Sequence, residues 1–106
     1  MGIFVIACYH PKPGLAHELN AVVARHHATL LSEGLVSAQP SITMKSEDGT
    51  VVEVFEWLSR ESSMSAHTNP VVQALWQEFA RVCDFVPLAS LKETESAFAH
   101  FERLGG

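Results

Sequence analysis

The stretch Ile3-Phe4-Val5-Ile6-Ala7-Cys8-Tyr9 is apolar at every position, and it is followed by His10-Pro11-Lys12-Pro13-Gly14, which interrupts regular structure. A continuous apolar run of this length, bounded by proline and glycine, is typical of a strand that is buried on both faces. It is far shorter than the ~20 residues that a membrane-spanning helix needs. The run therefore predicts a central strand of a sheet.

A second central strand is predicted over Val51–Leu58, which is rich in β-branched and aromatic residues. It follows the hairpin-turn sequence Glu47-Asp48-Gly49. Before the turn, apolar and polar residues alternate from Val36 to Lys45, as they do in a strand with one solvated face. Pro40 removes one backbone donor from this strand, so we place it at an edge of the sheet.

Helical periodicity separates the strands. From Leu15 apolar residues recur every three to four positions, and Gly34 stands where the C-terminal glycine of a helix belongs. Ser59 is predicted to cap a short helix that runs to about Ala66, and Asn69-Pro70 provides the N-cap and first residue of a second long helix. The apolar stripe of that helix consists of Val72, Leu75, Trp76, Phe79 and Cys83.

The end of the chain is predicted to add a strand and a helix. Val86–Leu91 contains a proline and is placed at the other sheet edge, and Ala97–Leu104 has four apolar residues on one helical face. The order is β-α-β-β-α-β plus a C-terminal helix, in one domain spanning residues 1–106. This predicts an α+β, ferredoxin-like split βαβ fold with sheet order 4-1-3-2.

The composition excludes several classes of protein. Apolar residues make up 47% of the 106 residues and charged residues only 18%, against about 25% in ordinary chains, which indicates a folded core rather than disorder. A net charge of -5 argues against nucleic-acid and anionic-membrane partners. Two cysteines, Cys8 and Cys83, are expected to be free thiols in a reducing compartment. We therefore expect a cytoplasmic protein.

One sheet face needs a cover that the two long helices cannot supply. The first strand is apolar on both faces, because Phe4, Ile6 and Cys8 alternate with four other apolar residues. A second copy, packed sheet on sheet about a two-fold axis, would cover the open face. Loops and the C-terminal helix are the alternative cover. We expect a homodimer through the sheet faces.

Four short motifs, in this order and spacing, resemble the antibiotic biosynthesis monooxygenase-like domain. They are Pro13-Gly14, Glu53-Val54-Phe55-Glu56-Trp57, Ala66-His67-Thr68-Asn69-Pro70 and Leu75-Trp76. The resemblance covers about Phe4 to Leu91. It implies a dimeric α/β barrel with a pocket between helices and sheet in each subunit. It also implies a cofactor-independent monooxygenase, an oxidoreductase acting on a small aromatic phenol or quinol.

Cofactor-free oxygenation needs a base that deprotonates the substrate in a cavity poor in water. His67 is the first candidate base, because it precedes a helix start and the resemblance places a family histidine in the same Ala-His context. The alternative is a partly exposed loop histidine or a capping group. Glu53 is a weaker candidate, because it shares a strand face with Phe55 and Trp57. Its alternative is a structural carboxylate at the dimer face. The sequence leaves open which face of Val51–Leu58 lines the pocket.

Four side chains are candidates for the pocket wall. Trp57 lies on the aromatic strand face, and Trp76 and Phe79 lie on the apolar stripe of the second long helix. The alternative for Trp76 and Phe79 is plain core, which is the more usual role of such a stripe. A buried Trp76 would need a partner for its indole N–H, which is one point in favour of a cavity. His26 lies on the apolar face of the first helix, where it either lines the pocket or is a core histidine bonded to a carbonyl.

No cofactor or metal is expected. The chain has no HExxH, no His-x3-His, no paired cysteine motif and no glycine-rich phosphate loop. The haem-degrading members of the resembled family need an asparagine on the first strand and a histidine in the second long helix, and both are missing here. The alternative to an enzyme is a non-catalytic dimeric barrel that binds a small hydrophobic ligand.

Overall fold

The computed structural model describes residues 2–105, which form an α+β fold with a five-stranded antiparallel sheet and three helices. The strands are β1 (Ile3–Pro11), β2 (Ile42–Lys45), β3 (Val51–Trp57), β4 (Cys83–Val86) and β5 (Glu102–Arg103). The helices are α1 (Ala16–Ser32), α2 (Arg60–Ala66) and α3 (Pro70–Val82). None of the helices within this range is long and apolar enough to cross a membrane.

The sheet order is β4-β1-β3-β2-β5, so the two apolar strands predicted to be central, β1 and β3, are neighbours in the middle. Their register pairs Val5 with Phe55, Ala7 with Glu53 and Tyr9 with Val51. Directly opposed residues point to the same face, so these six side chains form one surface. The three helices pack on that surface, with two core clusters between helices and sheet.

The helix termini follow the predicted capping residues. The side chain of Asn69 accepts hydrogen bonds from the backbone N–H groups of Val71 and Val72, and Ser59 accepts one from Ser62. Gly34 follows α1 with a φ of 73°, a conformation that strongly favours glycine. The side chains of Ser59 and Asn69 satisfy backbone donors that the N-termini of α2 and α3 would otherwise leave without partners.

The predicted strand over Val36–Lys45 is shorter than expected. Val36 forms only an isolated bridge with Trp57, and the regular strand starts at Ile42. Pro40 lies in the gap, where its lack of an N–H group prevents a continuous ladder. The two residues of β5 pair with Met44 and Lys45, so β2 is not the outermost strand.

The predictions for the C-terminal segment were wrong. The strand predicted over Val86–Leu91 instead ends at Val86, and the helix predicted over Ala97–Leu104 is replaced by an irregular segment that leads into β5. Two short 3-10 turns span Leu88–Ser90 and Lys92–Glu95. The physical reason is tertiary burial: Leu88, Leu91 and Phe101 pack against Cys8 and Val52 on the sheet face away from the helices. Sequence spacing alone does not reveal that anchor.

This C-terminal segment covers only part of that far face. Phe4, Ile6 and Ile42 are 65%, 49% and 58% exposed there. Ile6 and Ile42 both pair with Val54, so they lie in one row across three strands. The far face therefore carries an apolar patch, defined by Phe4, Ile6 and Ile42, that no described segment of the chain covers.

Candidate functional site

A cavity of about 330 Å³ lies between the helices and the sheet, and almost all of its wall is apolar. Ligand pockets of about 300–1,000 Å³ are usual, so this volume suits a small molecule. The lining side chains come from β1, β3, β4, α1 and α3; they are Val5, Ala7, Tyr9, His26, Phe55, Trp57, Trp76, Phe79 and Phe85. The wall is mostly aromatic, which favours a flat ligand.

The short β4 strand leaves the cavity open beside β1. It pairs with β1 only from Cys8 to Pro11, so the first half of β1 has no strand neighbour on that side among residues 2–105. Val5 and Ala7 face the helices and are nevertheless only half-buried, and Phe85 of β4 is 57% exposed. A ligand can enter here.

A hydrogen-bonded chain of side chains runs from the cavity wall into the core. The indole Nε1–H of Trp76 donates to Nε2 of His26 over 3.0 Å. An indole nitrogen can only donate, so Nε2 must be the accepting nitrogen and the neutral imidazole carries its proton on Nδ1. That Nδ1–H donates to Oε1 of Glu53 over 2.7 Å. The network thus determines the tautomer of His26.

Two aromatic rings hold the imidazole in place. The His26 ring meets Phe55 and Phe79 edge to face, with centroids 5.4 Å and 4.9 Å away. Such contacts restrict the rotation of the ring. His26 therefore has a defined orientation, with Nε2 toward Trp76 and Nδ1 toward Glu53.

Glu53 is fully buried, and its two oxygens have different surroundings. Oε1 accepts a second hydrogen bond, from the Tyr9 hydroxyl over 2.7 Å. Oε2 is buried and has no hydrogen-bond partner among the described residues. Burial, followed by the Glu53 charge, holds the pKa of the Tyr9 hydroxyl far above its ordinary value, so Tyr9 stays a donor. A buried acid with one oxygen unpartnered is unusual in a structural role.

The structure places most of the sequence-predicted site residues together. Trp57, Trp76, Phe79 and His26 all line the cavity. Glu53 lies on the helix-facing side of β3, bonded to His26, and not on the far face. The sequence did not decide which face of β3 lines the pocket. In the structure it is the face that carries Phe55 and Trp57.

His67 does not line the cavity. It is the C-cap residue of α2, its side chain is exposed, and its ring lies edge-on to Trp76 with centroids 5.3 Å apart. Its contact with the cavity therefore runs through the indole. The hydrogen-bonded histidine of the site is His26 instead.

Sequence reasoning missed the pairing of His26 with Glu53 and the roles of Tyr9 and Phe85. The sequence did contain an indication of this pairing. His26 is the polar residue on the apolar face of α1, and Glu53 is the polar residue on the apolar face of β3. Buried polar groups need partners, so two such exceptions facing one core predict a contact. Tyr9 also shares its strand face with Val5 and Ala7 by the period of two.

Within residues 2–105 no three His, Cys, Asp or Glu side chains lie close enough together to hold a metal ion. No protein-family model, curated protein or solved structure matches this chain. The function must therefore be argued from the geometry of the cavity and its hydrogen-bonded residues.

Proposed function

We propose that the protein is a cofactor-independent monooxygenase of the ferredoxin-like, dimeric α/β barrel type, which oxidises a small phenol or quinol with molecular oxygen. The observation that carries the proposal is the buried pair of His26 and Glu53 at the wall of an aromatic cavity. The resemblance in sequence motifs points to the same chemistry.

The first step is deprotonation of the substrate. Ground-state oxygen reacts poorly with closed-shell organic molecules, and a phenolate gives up an electron far more easily than a phenol. In the proposed site Nε2 of His26 accepts the phenolic proton, as histidine commonly does at neutral pH. The carboxylate of Glu53, 2.7 Å from Nδ1, stabilises the imidazolium that forms.

The second step is oxygenation at a ring carbon that carries hydrogen, such as the carbon para to the hydroxyl. The anion transfers one electron to oxygen, and the resulting radical pair combines to a peroxide anion on that carbon, which takes back the proton from the His26 imidazolium to give a hydroperoxide. Loss of the carbon's hydrogen as a proton, with cleavage of the O–O bond, leaves a quinone carbonyl. One oxygen atom stays in the product and the other leaves as water. The substrate supplies all the electrons, so no external reductant is needed.

The cavity suits these steps because its apolar wall offers few groups that hold water beside the anion. Its wall consists mostly of aromatic and aliphatic side chains, and its volume of about 330 Å³ fits a molecule of two or three fused rings. Phe55, Trp57 and Phe79 offer faces and edges against which a flat ring packs. A low local polarity also strengthens the interaction between the imidazolium and Glu53.

The dimer belongs to the same proposal. The apolar patch of Phe4, Ile6 and Ile42 is exposed on the far face, next to sheet that the C-terminal segment covers. Exposed apolar side chains of this size on one sheet face are typical of an interface, and a two-fold axis lets the patch meet its own copy. The free, buried thiols of Cys8 and Cys83 suit a reducing compartment, so we place the dimer in the cytoplasm.

One observation favours the second candidate, a non-catalytic barrel that binds a small hydrophobic ligand. Nε2 of His26 is occupied by the Trp76 indole N–H, so the proposed base has no free lone pair in this structure. In the catalytic alternative the indole must give up this contact when substrate binds. Turnover measurements separate the two candidates.

The test is oxygen uptake with a panel of hydroquinones, naphthols and anthrones. The wild type is expected to consume oxygen and to place one labelled oxygen atom in the product. His26→Asn keeps a donor toward Glu53 and loses the acceptor at Nε2, so turnover should fall by about 10²–10⁴-fold. His27→Ala is the matched control, because His27 is the next residue of α1 and bonds the carbonyl of Ser37 outside the cavity.

His67→Ala decides between the two histidines. If His67 were the base, as the sequence motif predicts, its removal would lower turnover by the same factor as His26→Asn. The exposed position of His67 instead predicts a loss of less than about tenfold. Lack of oxygen uptake with every panel member would reject the monooxygenase and leave the binding function.

A further inference from the structure

We infer that, without a ligand, the Trp76 indole N–H occupies the place at Nε2 of His26 that the hydroxyl group of a bound ligand would take. An aromatic alcohol entering the cavity competes with Trp76 for Nε2 of His26, so the cavity selects flat apolar molecules that carry a hydrogen-bond donor. The inference deepens the proposed function and rests on the same cavity, but it requires no oxygen chemistry.

The tautomer of His26 decides which ligand group can bind at Nε2. Glu53 accepts from Nδ1 and Trp76 donates to Nε2, so the Nε2 lone pair points toward Trp76, a side chain of the cavity wall, and becomes available to a ligand when the indole moves. A hydroxyl can donate to that lone pair as an indole N–H does. A ketone or an ether would bring a second lone pair against it. Donor ligands are therefore favoured over acceptor ligands.

The four side chains of the hydrogen-bonded network differ in burial. His26, Glu53 and Tyr9 are at most 3% exposed, whereas Trp76 is half-buried and lines the cavity. Its ring also meets the exposed His67 on the solvent side. Of these four side chains, Trp76 can change its position without breaking a bond between two buried polar groups. His26, Glu53 and Tyr9 therefore keep their mutual hydrogen bonds when a ligand binds.

Ligand binding would exchange one hydrogen bond at Nε2 of His26 for another. When the ligand hydroxyl replaces the indole N–H, the Nε2 acceptor stays satisfied, and the indole N–H is released toward the half-exposed side, where water can accept it. The exchange costs little free energy, so the affinity comes from apolar contact with the aromatic wall. When the cavity is empty, Trp76 supplies the hydrogen bond that the buried Nε2 needs.

The experiment compares naphthol with its methyl ether, which has nearly the same shape but no donor, in titrations without oxygen. Trp76→Phe removes the competing N–H and enlarges the cavity. The enlargement acts on both ligands, whereas the removal of competition helps naphthol alone. We expect Trp76→Phe to strengthen naphthol binding relative to ether binding by about three- to tenfold, as expected for one hydrogen bond.

Trp57→Phe is the matched control, because Trp57 lines the same cavity but has no hydrogen bond to His26. It should change the affinity of both ligands by the same factor. The chain has two tryptophans, so a proton–nitrogen correlation spectrum shows two indole signals, which the variants assign. Naphthol should shift the Trp76 signal toward that of a solvated indole, and the ether should not.

Equal effects of Trp76→Phe on naphthol and ether would overturn the inference, as would a Trp76 indole signal that stays in place at saturating naphthol. Binding of neither ligand at millimolar concentration would also overturn it, because the cavity would then reject aromatic alcohols. Oxygen uptake is measured separately. A protein that shows the expected selectivity but consumes no oxygen would disprove the monooxygenase and keep this inference.

Discussion

The Nδ1 atom of His26 lies 2.7 Å from Oε1 of Glu53, and both side chains are almost completely buried. The two residues come from different elements, helix α1 and strand β3, which are adjacent only in the folded chain. An acid buried without an opposite charge is costly, and this acid has one oxygen without a partner among the described residues. Substitutions at this pair therefore test both the stability of the core and the proposed chemistry.

Replacement of Glu53 separates its hydrogen bonds from its charge. Glu53→Ala leaves the Nδ1–H of His26 and the Tyr9 hydroxyl without an acceptor, so the free energy of unfolding should fall by about 2–5 kcal/mol. Glu53→Gln keeps an amide oxygen for both donors and should cost less than half as much. Urea unfolding measures both values. Equal losses in the two variants would show that the hydrogen bonds do not matter.

The same Glu53→Gln variant tests the role of the charge in turnover. A neutral amide cannot stabilise the imidazolium, so the rate should fall by about tenfold or more while naphthol binding persists. The measurement is oxygen uptake beside an anaerobic titration. Unchanged turnover would show that the Glu53 charge does not support the base.

The apolar patch on the far face predicts the oligomeric state. Sedimentation at low micromolar concentration should give twice the chain mass of 11.6 kDa. Ile6→Lys places a charge inside the proposed interface, where it has no partner, and should yield monomers. Met64→Lys is the control, because Met64 is 71% exposed on α2, away from that face. A wild-type protein that is monomeric would contradict the prediction.

Alkaline conditions should weaken the fold. Burial, followed by the charge of Asp84, raises the pKa of the Cys83 thiol to about 11, whereas the pKa of an unfolded thiol is about 8.5. Between these values the unfolded chain loses a proton that the folded chain keeps. Stability is therefore full below about pH 8.5 and declines as the pH rises toward 11.

Two further groups add to this decline. Burial raises the pKa of Cys8 in the same direction, and the raised pKa of Tyr9 continues the loss above about pH 10. Cys83→Ala should therefore flatten part of the slope, whatever it does to stability at neutral pH. Urea unfolding at several pH values gives the slopes. Identical slopes for wild type and Cys83→Ala would contradict the assignment.

Metal and haem should be dispensable for the fold. Purified protein is expected to show no Soret band, and a chelator should leave the melting temperature unchanged, because the sequence lacks the usual ligand spacings. The measurements are an absorption spectrum and a thermal melt with and without chelator. Stoichiometric zinc or haem in the purified protein would contradict this prediction.

Local sequence patterns determined the central part of the fold. The unbroken apolar run of β1, the aromatic β3 and the capped α3 are each specified by neighbouring residues, so periodicity and capping chemistry located them. The alternation of side chains along β3 also groups Glu53 with Phe55 and Trp57 on one face. The side chains of a strand face follow from its period, which needs no tertiary information.

Tertiary structure alone decided where the C-terminal segment goes and which histidine belongs to the cavity. Phe101 is anchored on the far face of the sheet, and that burial outweighs the helical spacing around it. His26 and His67 look alike in sequence, but only His26 meets a buried acid, across a gap of 27 residues. Such contacts depend on how helices pack on a sheet, because the energy of a buried polar group depends on its partners and not on its neighbours in the chain.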